Sequence, residues 1–86
     1  DLIVGQNFPN PFNPTTLIEF ELLQDADVEV KVFDLAGKEV AILHSGFLSR
    51  GEYKFKFDAS ELPSGIYLYQ ISTPLSSQTK KMILAK

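Results

Sequence analysis

Apolar and polar residues alternate along most of the chain, the period-two pattern of strands that bury one face. In residues 16–22, Ile18, Phe20 and Leu22 share one face and Leu17, Glu19 and Glu21 take the other. Residues 28–33 repeat the pattern, with Val28, Val30 and Val32 inward and Glu29, Lys31 and Phe33 outward, which leaves one large ring on the wet face. Residues 51–58 set Tyr53, Phe55 and Phe57 against Lys54, Lys56 and Asp58, and residues 39–43 form a weaker return strand. Residues 66–73 begin apolar on both faces, as a central strand does. The last run, 78–84, places Lys80, Met82 and Leu84 opposite Lys81 and Ile83. The predicted core is Ile18, Phe20, Val30, Val32, Phe55, Phe57, Tyr67 and Ile71.

Turn residues punctuate these runs at 24–27, 34–38, 45–51, 59–65 and 74–77. Short strands at spacings of about 8–12 residues predict an all-β, immunoglobulin-like antiparallel sandwich of about seven strands. Residues 34–38 read as a hairpin turn, in which Asp34 caps its own backbone and Gly37 supplies a positive φ. The segment Leu62-Pro63-Ser64-Gly65-Ile66-Tyr67 is similar to a tyrosine corner. There Gly65 takes a strained turn position and the Tyr67 hydroxyl bonds backbone a few residues upstream. Residues 58–62 allow one helical turn at most, stopped by Pro63. Residues 1–15 read as an irregular Pro/Asn-rich lead-in to a sandwich spanning 16–86, with Phe8 and Phe12 inserted into one open end.

The 86 residues make one small domain, expected to be a soluble monomer cut from something larger. A net charge of −3 argues against nucleic acid as partner, and no apolar run approaches the roughly 18 residues of a membrane span. Residues 1–4 lack the basic leader of a signal peptide. With no cysteine there is no disulfide, thiol nucleophile or Cys-based metal site, and the single histidine, His44, has no partner constellation. Asp25, Asp27 and Glu29 recur at every second residue without the Asp/Asn-Gly spacing of a calcium loop. No phosphate loop, nucleophile elbow or acid pair stands out. The expectation is therefore no catalytic residue, no metal and no cofactor.

Four segments in order carry a family likeness: Asn7-Phe8-Pro9-Asn10-Pro11-Phe12-Asn13-Pro14-Thr15-Thr16, Val30-Lys31-Val32-Phe33-Asp34-Leu35-Ala36-Gly37-Lys38-Glu39-Val40, Leu62-Pro63-Ser64-Gly65-Ile66-Tyr67 and Lys80-Lys81-Met82-Ile83-Leu84-Ala85-Lys86. Together they resemble the C-terminal sorting domain of type IX (Por) secretion, itself similar to the immunoglobulin-like domain of the flagellar hook-capping protein. The resemblance implies a non-catalytic signal joined to an N-terminal cargo that crosses the periplasm. It implies recognition by the type IX outer-membrane translocon, removal by the C-terminal signal peptidase, and a cargo at the cell surface or outside the cell. Phe33 stands where the family usually has Tyr, Phe57 where Trp is common, and Gln24 where Pro is frequent.

Within that likeness, Lys80, Lys81, Met82, Ile83, Leu84 and Lys86 are the expected recognition residues, a strand edge with alternating side chains of the kind that strand addition reads. The same lysines also suit an ordinary edge strand protected from aggregation. Two other functions remain open. A carbohydrate-binding accessory module would use Phe33, Tyr53 and Tyr69 as its platform, against which the lack of tryptophan counts. A structural immunoglobulin-like spacer would need no site.

Overall fold

A strand with one apolar face has to bury it against another such face, and seven strands do so in two layers. The computed structural model describes residues 1–86. In chain order the strands are β1 (Leu2–Val4), β2 (Thr15–Leu22), β3 (Ala26–Asp34), β4 (Glu39–Leu48), β5 (Gly51–Asp58), β6 (Gly65–Ser72) and β7 (Ser77–Leu84), with no helix. One antiparallel sheet has the order β1-β2-β5 and the other β4-β3-β6-β7. The chain is thus an all-β sandwich of seven strands, as its alternation predicts.

The inner faces meet in a continuous core. Ile18 and Leu22 from β2, the three valines of β3, Tyr69 and Ile71 from β6, and Met82 from β7 are fully buried, and Phe20, Phe57, Tyr67 and Leu84 nearly so. Each such aliphatic or aromatic side chain contributes about 1.5–3 kcal/mol by leaving water. Phe55 is the exception in the predicted core. It is half-buried, because β5 is an edge strand, and it stacks on Phe20 at 5.8 Å beside His44 at 5.5 Å. Phe33, on the outer face, is also half-buried and lies in register with Leu68.

Two elements differ from the sequence reading. Part of the lead-in is regular: β1 pairs with β2, Leu2 opposite Leu22 and Val4 opposite Phe20. Three residues are too few for a period to show. The two lead-in rings also separate. Phe12 is buried against Phe57 at 6.1 Å, whereas Phe8 is 75% exposed and engages Leu17 through backbone bonds of 3.0 and 2.9 Å. The other difference is β4, which runs on through Leu48 where a turn was predicted to begin at 45. Its pairing with β3 slips between Val30 and Lys31 and again between Val32 and Phe33, and each slip resets the alternation.

Candidate functional site

Register against β6 assigns every residue of β7 to a face. Lys80, Met82 and Leu84 oppose Tyr69, Tyr67 and Gly65, while Lys81 and Ile83 oppose Leu68 and Ile66. Met82 and Leu84 belong to the core, Lys80 is half-buried at the end of their row, and Lys81 and Ile83 are exposed on the outer face. The adjacent lysines therefore point to opposite faces and form no single basic patch. Lys86 lies past the strand. Its amide donates to Ser64 Oγ at 3.0 Å and its Nζ to the Ser60 carbonyl at 2.6 Å. Of the six predicted recognition residues, the fold thus brings Lys81 and Ile83 together on an accessible face, and puts Met82 and Leu84 beyond a partner's reach.

The outer edge of β7 is not bare, although the sequence reading treated it as free for strand addition. Gln6 Nε2 donates to the Lys81 carbonyl at 2.9 Å, and Asn10 Oδ1 accepts from the Ile83 amide at 2.9 Å. The Phe12 amide donates to the Ile83 carbonyl at 2.9 Å, and the Ala85 amide to the Phe12 carbonyl at 3.0 Å. Phe12 and Leu84 form a parallel bridge at this point. The chain has laid its own lead-in along its last strand. Pro9 and Pro11 have no N–H to give a ladder, so amide side chains supply part of the pairing.

Asn7 anchors this lead-in from below, only 2% exposed. Its Oδ1 accepts from Gln6 Nε2 at 2.6 Å, and its Nδ2 donates to Thr16 Oγ1 at 3.0 Å and to the Pro9 carbonyl at 3.2 Å. Its amide donates to the Tyr69 hydroxyl at 2.9 Å, which in turn donates to the Gly5 carbonyl at 2.7 Å. Thr16 Oγ1 donates to the Pro9 carbonyl at 2.8 Å. Burial pushes the Tyr69 phenol above its ordinary pKa, against the pull of the Asn7 amide. Gln6, Asn7 and Asn10 were not singled out from the sequence. The available signal was amide residues interleaved with prolines, at the places where the backbone cannot donate.

The structural turns have simple geometry. Asp34 Oδ1 accepts from the amides of Ala36 and Lys38, both at 2.9 Å, and Gly37 sits at φ 86°. The Tyr67 hydroxyl donates to the Pro63 carbonyl, four residues upstream, at 2.6 Å. Gly65 opens β6 at φ 158°, a backbone conformation that residues with a side chain rarely adopt, as a strained turn position requires.

The three aromatics of the carbohydrate reading form no platform. Tyr69 is fully buried in the core, Tyr53 stacks on Phe20 at 5.5 Å with its hydroxyl on the Ser49 carbonyl, and Phe33 lies on the outer face of the other sheet. Asp25 Oδ1 accepts from the Arg50 amide at 2.8 Å, a tie between two loops. Asp27 and Glu29 line a shallow cleft of about 410 Å³ with Ser45, Ser72 and Thr73, and no group of three His, Asp or Glu side chains converges on one point.

The polar side chains of this small all-β sandwich tie turns and edges, and its last strand shows one outer face, which makes it a strand-built module. Comparison gives the family. The chain belongs to the secretion system C-terminal sorting domain family, whose model matches residues 6–85, and it is a sorting signal for type IX secretion. The match runs from Gln6, whose side chain bonds to the Lys81 carbonyl, to Ala85, whose amide bonds back to Phe12. Such domains are in general non-catalytic, and their role carries the protein to the cell surface or outside the cell. No curated protein matches the chain.

Proposed function

We propose that this sandwich directs a larger cargo, fused to its N-terminus, through the type IX outer-membrane translocon, which reads the outer face of β7. The observation that carries this reading is the pair Lys81 and Ile83, exposed on the last strand of a chain that matches the sorting family over 6–85. Met82 and Leu84 support the face from beneath without meeting the translocon. The domain then leaves the cargo by the action of the C-terminal signal peptidase. It works as a monomer without metal, cofactor or catalysis of its own.

The test is a reporter fused to residues 1–86 in a type IX-competent cell, with periplasm, surface and medium assayed separately. The intact fusion is expected outside the cell. Removing residues 80–86 also removes two core side chains, so that truncation tests folding as much as recognition. Lys81→Glu inverts an exposed charge and leaves the core filled; it should keep the melting temperature and hold the fusion in the periplasm. An intact fusion that stays in the periplasm would overturn the sorting role of the chain, and normal export of a folded Lys81→Glu fusion would move the reading face elsewhere.

A further inference from the structure

We propose that the sorting element is discontinuous: Gln6, Asn7 and Asn10 are positioning residues that hold the last strand in the form the translocon reads. This rests on the reading that β7 is the recognised strand.

Along the C-terminal half of β7 and just past it, the edge that faces away from β6 includes the Lys81 carbonyl, both groups of Ile83 and the Ala85 amide. All four bond to the lead-in. Two of the bonds are made by side chains, Gln6 Nε2 and Asn10 Oδ1, so this closure depends on residue type and not only on an extended backbone. Gln6 Nε2 bonds both Asn7 Oδ1 and the Lys81 carbonyl. It therefore links the buried Asn7–Tyr69–Thr16 network to the residue that carries the exposed lysine. Tyr69 lies opposite Lys80, so the network sits beneath the same stretch of β7. The lead-in fixes Lys81 and Ile83 from the side and from below.

An edge strand that loses such bonds opens locally at low cost. Once frayed, it no longer presents Lys81 and Ile83 at fixed spacing, and its bare amides invite pairing with any extended chain. The lead-in prevents both. The buried anchoring of Asn7 and Phe12 argues for a permanent strap rather than a displaceable one.

Asn10 is the residue to test, because it is exposed and its loss leaves no cavity. Asn10→Ala removes the acceptor for the Ile83 amide, whereas Asn10→Asp keeps one. Native-state hydrogen exchange at Ile83 should rise about fivefold in Asn10→Ala, the scale of one net hydrogen bond, and return toward the parent in Asn10→Asp. The exported fraction of the reporter fusion should fall severalfold in Asn10→Ala and recover in Asn10→Asp. Asp34→Ala, which removes a turn acceptor on the β3–β4 hairpin, controls for stability and should leave export unchanged. Unchanged Ile83 exchange, full export of Asn10→Ala, or an equal export defect in Asp34→Ala would each overturn the inference while the parent fusion still leaves the cell. A parent fusion that is not exported would overturn the sorting reading itself, and this inference with it.

Discussion

The sandwich has two open sides, and different chemistry closes each. Where β1 meets β7, the seam is polar and directional. Gln78 Nε2 donates to the Leu2 carbonyl at 2.8 Å, and the Asp1 carboxylate accepts from Thr73 Oγ1 at 2.9 Å and Ser76 Oγ at 2.6 Å. The Asn7 network and the buried Phe12 complete that side. Where β4 meets β5, rings replace hydrogen bonds: Phe20, Tyr53 and Phe55 stack, and His44 tilts against Phe55. Stacked rings tolerate sliding, while hydrogen bonds between named atoms fix a register. The side that carries the proposed signal strand is the one whose register is fixed.

The largest expected effect falls on the strapped side. Phe12→Ala empties a fully enclosed position and should cost about 3–5 kcal/mol in denaturant unfolding of the 86-residue chain. If Phe55→Ala proves the more damaging substitution, the ranking of the two seams is reversed. Next comes Tyr69→Phe, which strands the Gly5 carbonyl and the Asn7 amide and should cost about 1–3 kcal/mol. This variant also tests the alkaline limb. The folded phenol titrates above its ordinary value, so its stabilisation is complete below the unfolded pKa of about 10 and is lost as pH rises through the folded one. A melting-temperature series at rising pH should be flatter in Tyr69→Phe than in the parent.

On the ring side, Phe55→Ala removes a half-buried ring and should cost about 1.5–2.5 kcal/mol, roughly half the fully buried case. The smallest effect concerns Asp58, which ends β5. Its carboxylate accepts from the Ser60 hydroxyl and, at 2.9 Å, from the Ser60 amide. Those bonds, the hydroxyl's first, hold its pKa below the usual carboxylate range, with Lys56 and Lys86 adding to the same direction. Its stabilisation is present above the unfolded value and disappears as pH falls through the folded one. Asp58→Asn should therefore remove a slight acid-limb slope and change little at neutral pH; a large loss at neutral pH would mean that the Ser60–Lys86 tie matters more than its exposure suggests.

The strands β2, β3, β5, β6 and β7 were legible because each buries one face cleanly. The inward assignment of Met82 and Leu84 follows from the same alternation. β1 was too short to show a period, and β4 was obscured by its slips against β3. Phe8 and Phe12 look alike in sequence, each flanked by an asparagine on one side and a proline on the other, yet only Phe12 reaches the core. What separates them is the strand each runs beside, a property of the assembled sheets. The amides interleaved with prolines were the strap's only local trace, and they do not name its partners, since its bonds join residues 73 and 75 positions apart. Hydrophobic period reports which face a side chain takes; it carries no information about what lies along a strand's edge.

Those long-span bonds also constrain the order of events during synthesis. A ribosome releases Gln6 and Asn10 long before Lys81 and Ile83, so early residues of the sandwich wait for late ones. A nascent chain can pair β2 with β5 early, but the Phe12 amide and carbonyl find their mates only when Ile83 and Ala85 are out. Interrupted translation would leave a sandwich with an unmatched ring and bare amides on one flank, the kind of surface that proteases and chaperones select. Closure of the strap is thus a physical record that translation has passed Ala85, and a machine that accepted only the closed form would screen out unfinished sandwiches without reading their length.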